Sequence, residues 1–270
     1  MKLKFQGTRG GLPVSGTNKN YGQSTSCVSV DLEEASFIFD AGNGILNFDI
    51  DFKTNPSASK IRLFLSHYHF DHLIGFPFFQ PLFSKAFDVK VYLPALERVK
   101  GLEALQKLIA PPLFPVDLSV LGEHVSFLDF DPGKRISEIS NVLVETKQFP
   151  HPGGVCAYKL VNGSKSITYL PDVENIDANT IPNLVEFCGA SDLLIIDSSY
   201  SDDEILTRRG WGHFCTSDIH LLAERLQQTA IYLFHHEPNK SDERIERDSE
   251  KLRSSNSNVF IAKQGEEIEI

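Results

Sequence analysis

His67-Tyr68-His69-Phe70-Asp71-His72 is the stretch that decides how this chain of 270 residues reads. It follows Ile61-Arg62-Leu63-Phe64-Leu65, a short apolar run that predicts a buried strand. Ser66 opens a loop, and Leu73-Ile74-Gly75 continue beyond the motif. Three imidazoles and one carboxylate are therefore packed into six residues at a strand end. His67 and His69, at alternate positions, can turn toward one cation. Asp71 and His72 can turn toward a second about 4 Å away, the spacing of two-metal hydrolytic sites. Neutral imidazole with carboxylate suits zinc, and also manganese or iron. The chain has only nine histidines, so chance is a poor explanation for the cluster.

Outward from the motif, the sequence alternates short strand patterns with helical ones. Leu3-Lys4-Phe5, 26–30, 36–39, 89–92, 125–128 and 142–146 read as strands. Segments 155–160 and 166–170 form an expected hairpin through Asn162-Gly163. Segments 193–196, 231–234 and 259–261 complete the strands. Helices are expected over 101–109, closed by Pro111-Pro112, and over 176–187, 217–227 and 242–252. The charge-rich stretch 240–253 reads as a solvated helix face. Gly7-Thr8-Arg9-Gly10-Gly11-Leu12-Pro13 is a turn-rich loop, extended by 18–25, and its amides are placed to cradle a phosphate or simply to turn the chain. Phe76-Pro77-Phe78-Phe79 either packs in the core, walls a pocket beside the motif or makes a subunit contact in a homodimer. No repeat or linker interrupts the pattern, so one domain is expected over residues 1–270.

The motif resembles the His-x-His-x-Asp-His signature of the metallo-β-lactamase superfamily. The opening resembles that of its phosphodiesterase and RNase Z-like branch: a Gly-rich loop, a polar segment, two strands, then Asp40-Ala41-Gly42. The resemblance covers nearly the whole chain and implies an α/β fold, the αββα four-layer sandwich, with the site at one edge between the sheets. Residue by residue, it implies that His67, His69 and His151 hold a first metal. Asp71 and His72 would hold a second, with Asp71 also among the catalytic residues, and Asp172 would bridge. His235 or His236 is the last ligand. A histidine directly after the final strand favours His235, but side chains alternate at a strand end, so His236 also qualifies. Asp40 reads as a carboxylate behind the ligands. His213, in Gly210-Trp211-Gly212-His213, resembles the histidine that protonates the leaving group, and Asp197 the acid that orients it.

Composition narrows the function. The net charge of −10 and the absence of a long Lys/Arg run oppose a grip on long nucleic acid. The cations are scattered in small groups such as Arg98 with Lys100 and Arg208 with Arg209. No stretch approaches the ~20 apolar residues of a membrane span, and no signal peptide is visible. Cys27, Cys156, Cys188 and Cys215 lack metal-type or paired spacing and read as reduced thiols of a cytoplasmic protein.

The expectation is thus a hydrolase with two divalent ions, zinc first. It would cleave a small phosphodiester such as a cyclic nucleotide through a metal-bridging hydroxide. Its first rival is an RNase Z-like tRNA 3′-endonuclease, which usually inserts a tRNA-gripping arm between the third histidine and the bridging aspartate. Here His151 and Asp172 are only 21 positions apart, room for a hairpin alone. A metal-dependent lactonase or acyl hydrolase shares the ligands but would not need His213. A non-enzymatic metal-binding module is the remaining class that the ligand set allows.

Overall fold

The computed structural model describes residues 1–16, 20–97, 100–139, 141–174 and 180–270. Arg98, residues 18 and 19 of the expected loop and the first residues of the helix expected over 176–187 lie outside these. The chain first lays down β1 (Lys2–Gly7), β2 (Cys27–Asp31), β3 (Ser36–Phe39), β4 (Lys60–Phe64), β5 (Asp88–Pro94) and β6 (Val125–Phe130). It then makes β7 (Arg135–Ile139), β8 (Val142–Phe149), β9 (Val155–Asn162), β10 (Lys165–Leu170), β11 (Leu193–Asp197), β12 (Ala230–Phe234) and β13 (Val259–Ile261). A last strand, β14 (Glu267–Glu269), returns to pair with β1. Two sheets result, in the orders β14-β1-β2-β3-β4-β5-β6 and β13-β12-β11-β10-β9-β8-β7. Each is mixed: β3 to β6 and β10 to β13 run parallel, the rest antiparallel.

Side-chain alternation sorts the strand residues into three apolar layers. Phe37 and Phe39 enter the core between the sheets, while Ile38 between them faces outward. On β11, Leu193 and Ile195 face the same inter-sheet core and Leu194 and Ile196 face the helices. This explains the unbroken apolar run there: a parallel strand covered on both faces needs apolar residues at every position. Fully burying one such side chain is worth about 1.5–3 kcal/mol.

The second sheet is covered by α2 (Thr180–Cys188), α4 (Thr216–Arg225) and α5 (Asp242–Ser255), with α1 (Gly101–Leu108) against the first sheet and a single turn, α3 (Ile205–Arg208), before α4. The αββα arrangement expected from the sequence is present. Its layer on the first sheet is thin, because 3₁₀ turns carrying Phe76, Phe79 and Leu82 do much of the covering. Phe76 and Phe79 are therefore core residues and not a pocket wall, whereas Phe78 is exposed beside Phe114.

The stretch 240–253 is only partly the solvated face expected. α5 buries Ile245, Ser249 and Leu252. Lys240 is buried just ahead of it, 2.8 Å from Glu204 and 3.0 Å from Asp248.

Candidate metal centre

The carboxyl ends of several strands converge on one edge of the sandwich. β4 delivers Ser66 to His72, β8 delivers His151, β10 delivers Asp172, β11 ends on Asp197 and β12 leads into His235. Ligand sites in parallel sheets lie just beyond such strand ends.

His67, His69 and His151 form a near-equilateral triangle, with ring centroids 4.6, 4.7 and 4.7 Å apart. Their ligand atoms and one oxygen of Asp172 lie within 4.8 Å of one another. Asp71, His72 and His235 form a second such group, and Asp172, Asp197, His213 and His235 a third. Asp172 is the carboxylate between them: its oxygens lie 3.6 Å from His67 Nε2, 3.4 Å from His72 Nε2 and 3.3 Å from His235 Nε2.

The rings are held from behind. His67 Nδ1 donates to Ser66 Oγ at 2.9 Å, and Ser66 Oγ donates to Asp40 at 2.7 Å. His72 Nδ1 donates to Asp40 at 2.7 Å. His151 Nδ1 donates to Gly212 O at 2.9 Å. His235 Nδ1 lies 3.0 Å from Ser199 Oγ, which in turn donates to Asp197. In these four rings the outer nitrogen is occupied and the inner one carries a lone pair toward the centre, the arrangement that fixes ligating histidines.

These residues fit a pair of divalent cations on the chemistry of the donors alone. His67 Nε2 and Asp172 Oδ1 are buried without a hydrogen-bond partner among the described residues, a costly state for polar atoms. His69 Nδ1 faces His151 Nε2 at 3.0 Å and His72 Nε2 faces His235 Nε2 at 3.2 Å, so each pair of lone pairs calls for positive charge between them. The electrostatics separate the two groups. At His72, burial opposes the charged form, yet Asp71, Asp40 and Asp172 outweigh it and hold the ring well above its ordinary pKa, a pocket of carboxylates that favours positive charge. Burial, together with the neighbouring imidazoles, holds His67 well below its ordinary pKa, and burial brings His151 down to about 4. Burial opposes ionisation of Asp71 and Asp172, yet the surrounding histidines outweigh it and keep both well below the usual carboxylate range.

His213 lies 3.0 Å from Asp197 through Nδ1 and stacks on His235 at 5.1 Å. Burial works against its charged form, but Asp197, Asp172 and Asp71 outweigh it and lift its pKa to about 9. These carboxylates thus favour the protonated form of the candidate proton donor.

His235, not His236, reaches the cluster. His236 turns away, 3.4 Å from both Ser198 Oγ and Ala262 O, with Tyr21 against its edge, and burial lowers its pKa to about 3. His235 has φ 57° and Asp40 φ 62°, left-handed conformations rare for residues with a side chain. Two of the four non-glycine residues with positive φ among the described residues thus fall at this site, while Asn141 and Ala190 lie elsewhere.

The glycine loop does not cradle a phosphate. The amides of Thr8 and Arg9 go to Ser24 O, that of Gly10 to His236 O, that of Leu12 to Gly10 O and that of Gly11 to Asp71 Oδ2 at 2.7 Å. The loop instead backs the cluster. A Cβ on Gly10 would stand 2.1 Å from His235 Cε1, so only glycine lets the backbone lie against that ring. Arg9, fully buried, pins the loop through Gly22 O and Lys240 O.

A family model for the beta-lactamase superfamily domain matches residues 36–236 of this chain. The chain belongs to the metallo-β-lactamase superfamily. A ribonuclease Z from Streptococcus pneumoniae (strain CGSP14) is 26% identical over 184 residues, 67% of this chain, and the chain spans only 56% of that relative's length. Among solved structures, the metallo-β-lactamase fold protein YhfI from Bacillus subtilis superposes with TM-score 0.74 at 20% identity, covering 99% of both chains. A diphosphatase of the PhnP family superposes with TM-score 0.72 at 16% identity, covering 100% of this chain and 97% of the other.

Within the superfamily fold, sequence reasoning located the histidines and aspartates but missed what holds them: Ser66, Ser199, Gly10, Gly212 and Glu174. Ser66 and Ser199 each lie within two residues of a strand-end site residue, which is the signal that could have found them. Glu174 and Gly212 also neighbour site residues in sequence, Asp172 and His213, but the bond between them joins loops distant in sequence and leaves no local pattern.

Proposed function

We propose that this protein is a dinuclear-metal-dependent phosphodiesterase acting on a small diester such as a cyclic nucleotide. The observation that carries the reading is the His213–Asp197 pair beside the histidine–aspartate cluster. An alkoxide leaving a phosphoryl group needs a proton, which this pair is placed to supply. A lactone also expels an alkoxide, so the preference for phosphorus over an acyl carbon rests on the similar ribonuclease and diphosphatase. His67, His69 and His151 would hold one divalent cation; Asp71, His72 and His235 would hold the other, with Asp172 shared. When bound, such ions supply charge for the phosphoryl oxygens and activation of the attacking water.

The chain's own residues do the rest. Asp197 fixes the His213 tautomer through Nδ1, which leaves Nε2 as the atom that hands a proton to the leaving oxygen. Ser199 holds His235 on the same carboxylate, so acid and ligand share one anchor. Phe70, which precedes Asp71 in the chain, Trp211, two residues before His213, and Leu12, which follows the Gly11 that holds Asp71, are exposed. They would give apolar contact to the organic part of a small substrate, in place of the glycine loop and buried phenylalanines that the sequence suggested.

A ribonuclease and a diphosphatase among the similar proteins support phosphorus–oxygen chemistry. The ribonuclease also favours a second reading, a tRNA 3′-endonuclease. Against it stand the net charge of −10 and the short β9–β10 hairpin between His151 and Asp172. A turnover panel of a bis-aryl phosphate, cyclic mononucleotides, precursor tRNA and a lactone tests the choice. Cyclic mononucleotide or short diester turnover should exceed precursor-tRNA cleavage in kcat/KM, with a shallow salt dependence. Efficient single-site cleavage of the tRNA with a steep salt dependence would promote the nuclease, and lactone turnover alone would promote the acyl hydrolase.

A further inference from the structure

Glu174 is buried at the junction of three loops. It sits two residues beyond Asp172. Its backbone N–H donates to Pro150 O at 3.0 Å, directly before His151. Its carboxylate accepts from the amide of Gly210, in a short bond, and from that of Gly212 at 2.6 Å. Gly212 O in turn accepts from His151 Nδ1. The circuit closes: Glu174 to Gly212, Gly212 to His151, His151 through Pro150 back to Glu174. A Cβ on Gly212 would stand 2.1 Å from His151 Nδ1, so the backbone lies flat against the ring it holds. The next residue is His213.

We propose that Glu174 is a positioning residue. It clamps the Gly210–Gly212 turn so that Gly212 O aims His151 Nε2 at the first cation and His213 stays on Asp197. Two amide donors of the turn, its first and third, meet one two-pronged acceptor, so the turn is tied at both ends. The effect falls on one cation group only. Asp71, His72 and His235 are held by Gly11, Asp40 and Ser199, on the far side of the cluster from Glu174 in this network of bonds.

The assignment rests on reading the cluster as a cation site and not on the identity of the substrate. Its test is titration of the protein with Co(II) and Zn(II), following the Co(II) absorption bands and the heat of each binding event. Glu174→Gln keeps the size but turns one acceptor into a donor facing an amide. Outer partners of metal ligands commonly contribute about 10–100-fold in affinity. The expected result is one binding event weakened by about that factor, the other unchanged, and a larger loss of kcat than rise in KM on alkyl diesters. If Glu174→Gln does not fold, Glu174→Asp, which withdraws both oxygens by one methylene, carries the same test. Wild-type affinity for both events, or equal weakening of both, overturns the assignment. A wild-type protein that binds no cation overturns the reading of the cluster and this assignment with it.

Discussion

Asp40 Oδ2 accepts a 2.7 Å hydrogen bond from His72 Nδ1 and, through Ser66 Oγ, also holds His67 Nδ1. One carboxylate thus orients a histidine from each cation group. It is itself fixed by the Ser66 amide at 2.6 Å and the Tyr169 hydroxyl at 2.8 Å. Asp40→Asn keeps a side chain tolerant of the left-handed backbone there but places an amide donor against a ring N–H. Affinity for both cations should fall by about 10–100-fold, read by competition with a chromophoric chelator. Wild-type affinity in Asp40→Asn would show that the ring orientation does not depend on it.

His235 and His236 are adjacent yet play opposite parts. His235→Ala should lose one of two bound ions and nearly all activity. His236→Ala should keep both ions and cost about 1–3 kcal/mol of stability, an ordinary core loss. Elemental analysis with urea unfolding separates them; loss of metal in His236→Ala with retention in His235→Ala would reverse the assignment.

His213→Ala should lower kcat on diesters with alkoxide leaving groups by about 10²–10⁴, the usual weight of general-acid catalysis. Asp197→Asn should follow it in the same direction, and disturb His235 as well through Ser199. Aryl esters, whose leaving groups need little protonation, should lose less. Equal losses on both substrate types would contradict the role of His213.

The Lys240 pair with Glu204 and Asp248 sits away from the cluster and tests the fold alone. Burial opposes ionisation of Glu204, but Lys240 and the Ser201 amide outweigh it and lower the carboxyl to about 2 from its ordinary 4.5. A carboxyl depressed by folding contributes stability that is complete above 4.5 and is lost as pH falls toward 2. Lys240→Met should cost about 2–3 kcal/mol at pH 7, the low side for a broken buried pair because Glu204 keeps some solvent contact. The gap between wild type and variant should narrow from pH 4.5 downward. A gap that widens instead would contradict the pairing.

The strands and most of the candidate ligands are legible in the sequence because period-2 patterns and strand-end histidines are local signals. β11 shows the point: Leu193-Leu194-Ile195-Ile196 reads as a two-sided strand and Asp197 as its end. β7 escapes such a reading because Arg135–Ile139 is an edge with mixed polarity, and β14 because it is only three residues long, with Ile268 alone turned to the core between two glutamates. The glycine loop misleads because glycine serves both anion cradles and close packing. Only the contact of Gly10 with His235 distinguishes them. The resemblance favours His235 over His236, but strand alternation alone does not separate them, since a left-handed turn at His235 reverses the alternation that a strand would continue.

The central claim is that two cations share Asp172. Anomalous diffraction from crystals of the Zn(II)-loaded protein tests it most directly. The account requires two peaks, one among His67, His69 and His151 and one among Asp71, His72 and His235, each with Asp172 as a ligand. One peak only, or two peaks of which Asp172 touches a single one, would contradict it.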